Sequence, residues 1–174
     1  MNDYGTLIAP DTVRFQRILP GPVERVWDYL TKPEHLSTWL GNGEIKPEVG
    51  SPIELRPVGS EDRPETVIRG EIKQCERYRL LSYSWIVQIP DQRQLESLVT
   101  FELAPRGTNQ VLLTLRHKGV LPEFRALTLA GWHGLLESLI LSLKGEEPRP
   151  FRQAFERVLP EYHRQFGGSD TPPK

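Results

Sequence analysis

The stretch Phe124–Leu143, FRALTLAGWHGLLESLILSL, constrains this chain more than any other. At about 100° per residue, Trp132, Leu135, Leu136, Leu139 and Leu143 fall on one broad helical face. Ala130, Glu137, Leu141 and Lys144 take the other side. A helix in water is held mainly by burial of its apolar face, so a stripe this wide needs a large apolar partner. Most of the preceding sequence has the period of strands, and the expected partner is a sheet.

The chain reads in order as follows. Residues 1–11 are expected to form a flexible N-terminal arm. Thr12–Leu19 is β-rich, with Val13 and Phe15 alternating against Arg14 and Gln16, and reads as a first strand. Pro22 suits the first position of a helix, and Val23, Val26, Trp27 and Leu30 follow at helical spacing. Pro33 opens a second, shorter helix with Leu36, Trp39 and Leu40 inward, and Gly41-Asn42-Gly43 reads as the turn that ends it. The period then drops to two. Strands are expected near Glu44–Lys46, Ile53–Val58, Thr66–Cys75, Arg79–Val87, Leu95–Leu103 and Gln110–His117. The gaps between them, Gly59–Pro64 and Ile89–Gln92 among them, are too short for parallel crossovers, which predicts antiparallel hairpins. Glu54, Arg56, Arg69, Glu71 and Glu102 should face solvent, while a one-residue slip would turn Arg69 and Glu71 inward. After Gly145, Phe151, Phe155, Val158, Leu159, Tyr162 and Phe166 mark a further amphipathic segment, interrupted at Pro160 and docked on the outside. Residues 167–174 read as a disordered tail.

The predicted fold class is therefore α+β: a curved antiparallel sheet of about seven strands wrapped on a long C-terminal helix, with two short helices after the first strand. At 174 residues the chain fits a single domain, read here as residues 12–166.

Four segments in this order carry a family resemblance. They are Pro22–Leu40 (PVERVWDYLTKPEHLSTWL), Leu80–Trp85 (LLSYSW), Leu98–Leu103 with Gln110–His117 (LVTFEL, QVLLTLRH) and Gly131–Gly145 (GWHGLLESLILSLKG). Together they resemble the START-like superfamily, the birch-pollen-allergen fold, and within it the family named for activators of the heat-shock protein 90 ATPase. The resemblance implies a helix-grip fold with a pocket between the long helix and the sheet. It also implies a lipophilic ligand such as a lipid, steroid or polyketide, or a chaperone as protein partner, with a minority of members catalysing reactions on what they bind. The eukaryotic ATPase activators carry an additional amino-terminal domain, where this sequence has eleven residues before its first strand.

The candidate ligand-binding residues are Trp39, Leu55, Tyr83, Trp85, Phe101, Leu113, His117, Trp132 and Leu136, because pockets are mostly apolar with a few oriented polar groups. His117 is the polar residue of most interest. By alternation it faces inward at a strand end, where it could serve as an acid–base group or simply be satisfied by a neighbour; the second reading is favoured. His133 sits at the margin of the helical stripe, a position that predicts half-exposed packing. His35 and His163 fall in helix-surface contexts. A cyclase- or hydrolase-like activity would have to use His117 or Tyr83, and no catalytic residue is assigned.

Neither a metal site nor a cofactor is expected, since no histidine–acid cluster has ligand spacing. The lone Cys75 stands beside no activating group. A net charge of −1, with lysines and arginines scattered among acids, offers no field for nucleic acid. The opening MNDYGTLIAP has no signal-peptide pattern, and no uninterrupted apolar run of membrane-spanning length is apparent, so a cytoplasmic monomer or homodimer is expected.

Overall fold

The computed structural model describes residues 2–63, 65–88 and 93–167. The expected turn at Ile89–Gln92, the end of the expected turn at Pro64 and the expected tail from residue 168 onward lie outside these residues. The strands are β1 (Thr6–Ala9), β2 (Thr12–Pro20), β3 (Gly41–Glu44), β4 (Pro52–Pro57), β5 (Ile68–Glu76), β6 (Leu80–Gln88), β7 (Gln94–Arg106) and β8 (Gln110–Lys118). Between β2 and β3 lie α1 (Val23–Thr31) and α2 (Pro33–Leu36). After β8 come a single 3-10 turn at Pro122–Phe124, α3 (Arg125–Leu143) and α4 (Phe151–Phe166). All strands pair antiparallel in one sheet of order β1-β2-β8-β7-β6-β5-β4-β3.

Register explains the core. Val13 pairs His117, His117 pairs Val99, Val99 pairs Tyr83 and Tyr83 pairs Ile72. That row runs across five strands, and every member is buried. The row beside it, Phe15, Leu115, Phe101 and Leu81, is buried too. The alternation of β7 and β8 has thus placed one face of the sheet under α3, as periodicity requires. Arg69 and Glu71 are exposed and Ile68 and Ile72 buried, so the feared slip does not occur. The α1–α2 pair closes one end, where the Trp39 indole N–H donates to the Tyr29 carbonyl at 2.8 Å.

Four sequence expectations need correction. First, the sheet has eight strands rather than about seven, because the arm is not loose throughout: Thr6 and Leu7 pair with Arg14 and Val13. The arm is anchored by the Gly5 N–H, which donates to the Tyr162 hydroxyl at 2.8 Å, and by Arg17, whose guanidinium donates to the Asp3 carbonyl. Arg17 faces inward from β2 and is only 5% exposed, so its N–H groups must find acceptors there. Secondly, Gly41-Asn42-Gly43 is not a turn but most of β3. A Cβ on Gly41 would lie 2.6 Å from the Arg56 oxygen, and one on Gly43 2.3 Å from the Glu54 oxygen. Glycine here permits close strand approach.

Thirdly, α4 runs unbroken through Pro160. That residue is exposed while Ala154, Val158 and Tyr162, spaced by four, are buried. Docking on α3 outweighs the roughly 3 kcal/mol that a proline costs inside a helix. Fourthly, that docking makes α3 two-faced. Ala130, Gly134 and Ser138 are buried along with Trp132, Leu136 and Leu139. A Cβ on Gly134 would sit 3.4 Å from the Ala154 Cβ, so the helices meet closely. Pro122–Leu143 also has the length and apolar composition of a membrane-crossing helix, which the sequence reading did not expect, but it is packed in the middle of the fold.

Candidate functional site

Next to the filled row at His117, the inward face of the sheet runs short of side chains. The following positions on β6 and β7 are Trp85 and Ser97, which pair with each other, and beyond the end of β8 the neighbour is Gly119. A Cβ on Gly119 would come within 3.4 Å of Ser97 Cα, so the glycine lies directly beside Ser97. A small hydroxyl and a glycine occupy places where the previous row carries Val99 and His117. The resulting space between sheet and helix is a cavity of about 1200 Å³.

Two strands, two helices and their flanking loops wall it. Trp85 and Val87 come from β6, and Leu95 and Ser97 from β7. Val120 and Phe124 come from the segment leading into α3, Leu127 from α3 itself, and Phe151 and Phe155 from the start of α4. The loop Val58–Arg63 covers one side. Most of these side chains are only half-buried.

His117 is the polar base of this cavity. It is 6% exposed, and both ring nitrogens are engaged. The Trp132 indole N–H donates to Nδ1 at 2.9 Å. Indole nitrogen can only donate, so Nδ1 must be the bare nitrogen and Nε2 carries the proton. Nε2–H then donates to Ser97 Oγ at 2.6 Å, and the Ser97 hydroxyl donates onward to the Trp85 carbonyl at 3.1 Å. The imidazole is neutral: burial pushes its pKa down to about 4.

This chain of bonds decides what the pair can do. A histidine that activates a serine must present a lone pair to the hydroxyl. Here it presents N–H, and its one lone pair is committed to Trp132. The histidine and serine are within catalytic distance but in the wrong tautomer for general-base chemistry. They form a fixed polar floor.

Of the residues expected to bind a ligand, Trp85 and His117 line the cavity. Trp132 stands just behind, 3% exposed, its ring centroid 5.2 Å from that of Trp85. Trp39, Leu55, Tyr83, Phe101, Leu113 and Leu136 do not line it; each is essentially fully buried in the core. Burial holds the Tyr83 phenol protonated. Sequence reasoning missed Ser97, Leu127, Phe151 and Phe155. Ser97 had a legible signal, a small polar residue in the inward row with Val99 and Phe101. The phenylalanines did not, because nothing local says which end of α3 their helix reaches.

A second polar cluster lies under the arm. His133 is buried, at 7% exposure, and not half-exposed as its position on the stripe suggested, because α4 and the arm both cover it. Its Nδ1 is 2.9 Å from the Tyr162 hydroxyl, the atom that also accepts from Gly5. Burial first and the Arg17 charge second push its pKa down to about 4. Tyr4 packs edge-on against its ring. Cys75 is partly buried, with its thiol pushed up by desolvation and 3.1 Å from the Pro47 carbonyl. Among the described residues, no group of three or more histidine, cysteine or acidic side chains could hold a metal.

The sequence model described as activator of Hsp90 ATPase homolog 1-like protein matches residues 20–142. The chain belongs to that family. A Bordetella parapertussis protein solved by NMR is 30% identical with a TM-score of 0.73, covering 94% of this chain and 91% of that one. A Mesorhizobium loti crystal structure is 29% identical with a TM-score of 0.65, covering 77% of this chain and 96% of that one. CalU16 from Micromonospora echinospora is 22% identical with a TM-score of 0.69, covering 89% of this chain and 85% of that one, and speaks for the fold alone. No curated protein matches the sequence. Family and fold agree on a helix-grip architecture.

Proposed function

We propose that this chain is a soluble binding module of the START-like superfamily, holding a small lipophilic ligand in the cavity between Trp85 and Phe155. One observation carries the reading: an apolar space of about 1200 Å³ abuts a polar floor whose donors are already committed. Such a volume, walled by aromatic and aliphatic side chains between a polar floor and a charged rim, has the character of a small-molecule site. The His117 tautomer weighs against a cyclase or hydrolase that would use this residue as acid or base.

Family membership raises an adaptor role toward heat-shock protein 90 as the other candidate. Such an adaptor needs a contiguous apolar patch. Among the described residues the exposed large apolar side chains are Ile8, Val49 and Leu121, on three segments far apart in the sequence, which does not favour that role.

The test is a thermal-shift screen of the purified protein against fatty acids, sterols, flavonoids and polyketide-like aromatics. A ligand at 100 times its dissociation constant adds about 2.7 kcal/mol of stability, a rise of several degrees for a chain of this size. Leu127→Trp, which fills the cavity from α3, is expected to abolish the shift. A panel without a hit, or an undiminished shift in the filled variant, removes this reading and turns attention to the chaperone's ATPase rate.

A further inference from the structure

We infer that the cavity selects a ligand whose apolar body carries a cationic or hydrogen-bond-donating head, and rejects the same body carrying a carboxylate. This rests on the binding role proposed above and adds the chemical class of the ligand. Two independent features of the lining point the same way.

The first is the donor count at the floor. The Trp132 indole N–H is spent on His117, the His117 Nε2–H on Ser97, and the Ser97 hydroxyl proton on the Trp85 carbonyl. A serine oxygen has two lone pairs, and His117 fills one. What the floor still offers is therefore an acceptor, the second lone pair of Ser97. A hydroxyl or ammonium can use it. A carboxylate brings only further lone pairs, and none of these three donors is released unless an existing bond is broken.

The second is the charge of the lining. Among the described residues of the lining, four carboxylates, Glu61, Asp62, Glu96 and Glu156, face two guanidiniums, Arg63 and Arg152. Each arginine has an acid beside it: Arg152 Nε is 2.7 Å from Glu156, and Arg63 Nε is 3.9 Å from Asp62. Among these groups the charge at the rim is thus negative after pairing, which attracts a cation and repels an anion, less strongly as salt rises because the groups are exposed. Thr128 and Gln94, also in the lining, both donate and accept and so do not discriminate. The apolar body would lie against Val87, Leu95, Leu127, Phe151 and Phe155.

The experiment holds the body constant and changes the head. Naphthylethylamine, naphthylethanol and naphthylacetate are titrated into the full-length protein near neutral pH, with binding read from tryptophan fluorescence and confirmed by thermal shift. The amine and alcohol should bind at least about tenfold more tightly than the carboxylate, a difference of about 1.4 kcal/mol. Equal or tighter binding of naphthylacetate overturns the inference while leaving the cavity a binding site. If none of the three binds or shifts the melting temperature, the binding role itself fails and the inference with it. Replacing Glu96→Gln and Asp62→Asn together, both exposed and outside the core, should narrow the gap between amine and carboxylate. A gap unchanged in that variant contradicts the role given to the rim.

Discussion

The indole N–H of Trp132 donates to Nδ1 of His117 at 2.9 Å, and this single bond fixes the chemistry of the cavity floor. It joins the long helix to the eighth strand and selects the tautomer that points N–H, not a lone pair, at Ser97. Removing the donor leaves a buried nitrogen without a partner. Trp132→Phe should therefore cost about 1–3 kcal/mol beyond the change in packing. Urea denaturation measures that loss. Ring-nitrogen NMR should show only the Nε2–H form in the native protein and a mixture of tautomers in the variant.

Acid should destabilise the protein well above the carboxylate range. His117 titrates near 6.5 when unfolded and about 4 when folded, so between these values the unfolded chain binds more protons. The stability that neutral His117 contributes is complete above about pH 6.5 and is lost as pH falls toward 4. For this residue alone the loss between pH 7 and pH 5 is about 2 kcal/mol. His133, shifted in the same direction, adds to it. Denaturation curves at the two pH values test this, and His117→Gln should flatten the dependence by the share assigned to His117.

The arm should matter to the whole fold. A Cβ on Gly5 would fall 2.3 Å from Phe15 Cζ and 2.7 Å from Leu129 Cδ2, two fully buried rings and branches with little room to yield. Gly5→Ala is expected to cost about 1–3 kcal/mol, as overpacking does. Tyr162→Phe should cost about as much by leaving the Gly5 N–H without its acceptor. Midpoints of unfolding that match the parent protein would show that the arm is dispensable.

Core and cavity should separate under mutation. Leu136 is fully buried and Leu127 half-buried at the cavity wall. Leu136→Ala should lose about 2–5 kcal/mol of stability. Leu127→Ala should lose much less yet change ligand affinity. Calorimetric melting with and without ligand distinguishes the two; equal losses of stability would mean that the cavity wall is part of the core.

These contrasts show what the sequence made legible. Alternation in Leu98–Leu103 and Gln110–His117 revealed the inward faces because a strand's period is local and the sheet buries one side. His117 was placed inward for the same reason, and the structure agrees. The partner that neutralises its chemistry, Trp132, lies 15 positions away on another element, and no pattern announces a hydrogen bond between them. Aromatic size suggested Trp39 and Phe101 as pocket walls. Large side chains fill space, however, and the cavity opens where the inward row carries Ser97 and then Gly119. The two-sided burial of α3 was hidden because its second partner is a helix seven residues further on, reached through Ala130 and Gly134, whose small side chains look indifferent in a sequence.

The most direct test of the binding role is chemical-shift mapping on isotope-labelled protein with naphthylethanol as probe. The account predicts that perturbations centre on Trp85, Ser97, Leu127 and Phe155, with saturation at one equivalent. Perturbations confined to the outer sheet face or to the arm around Tyr4 and His133, or none at saturating probe, would contradict it.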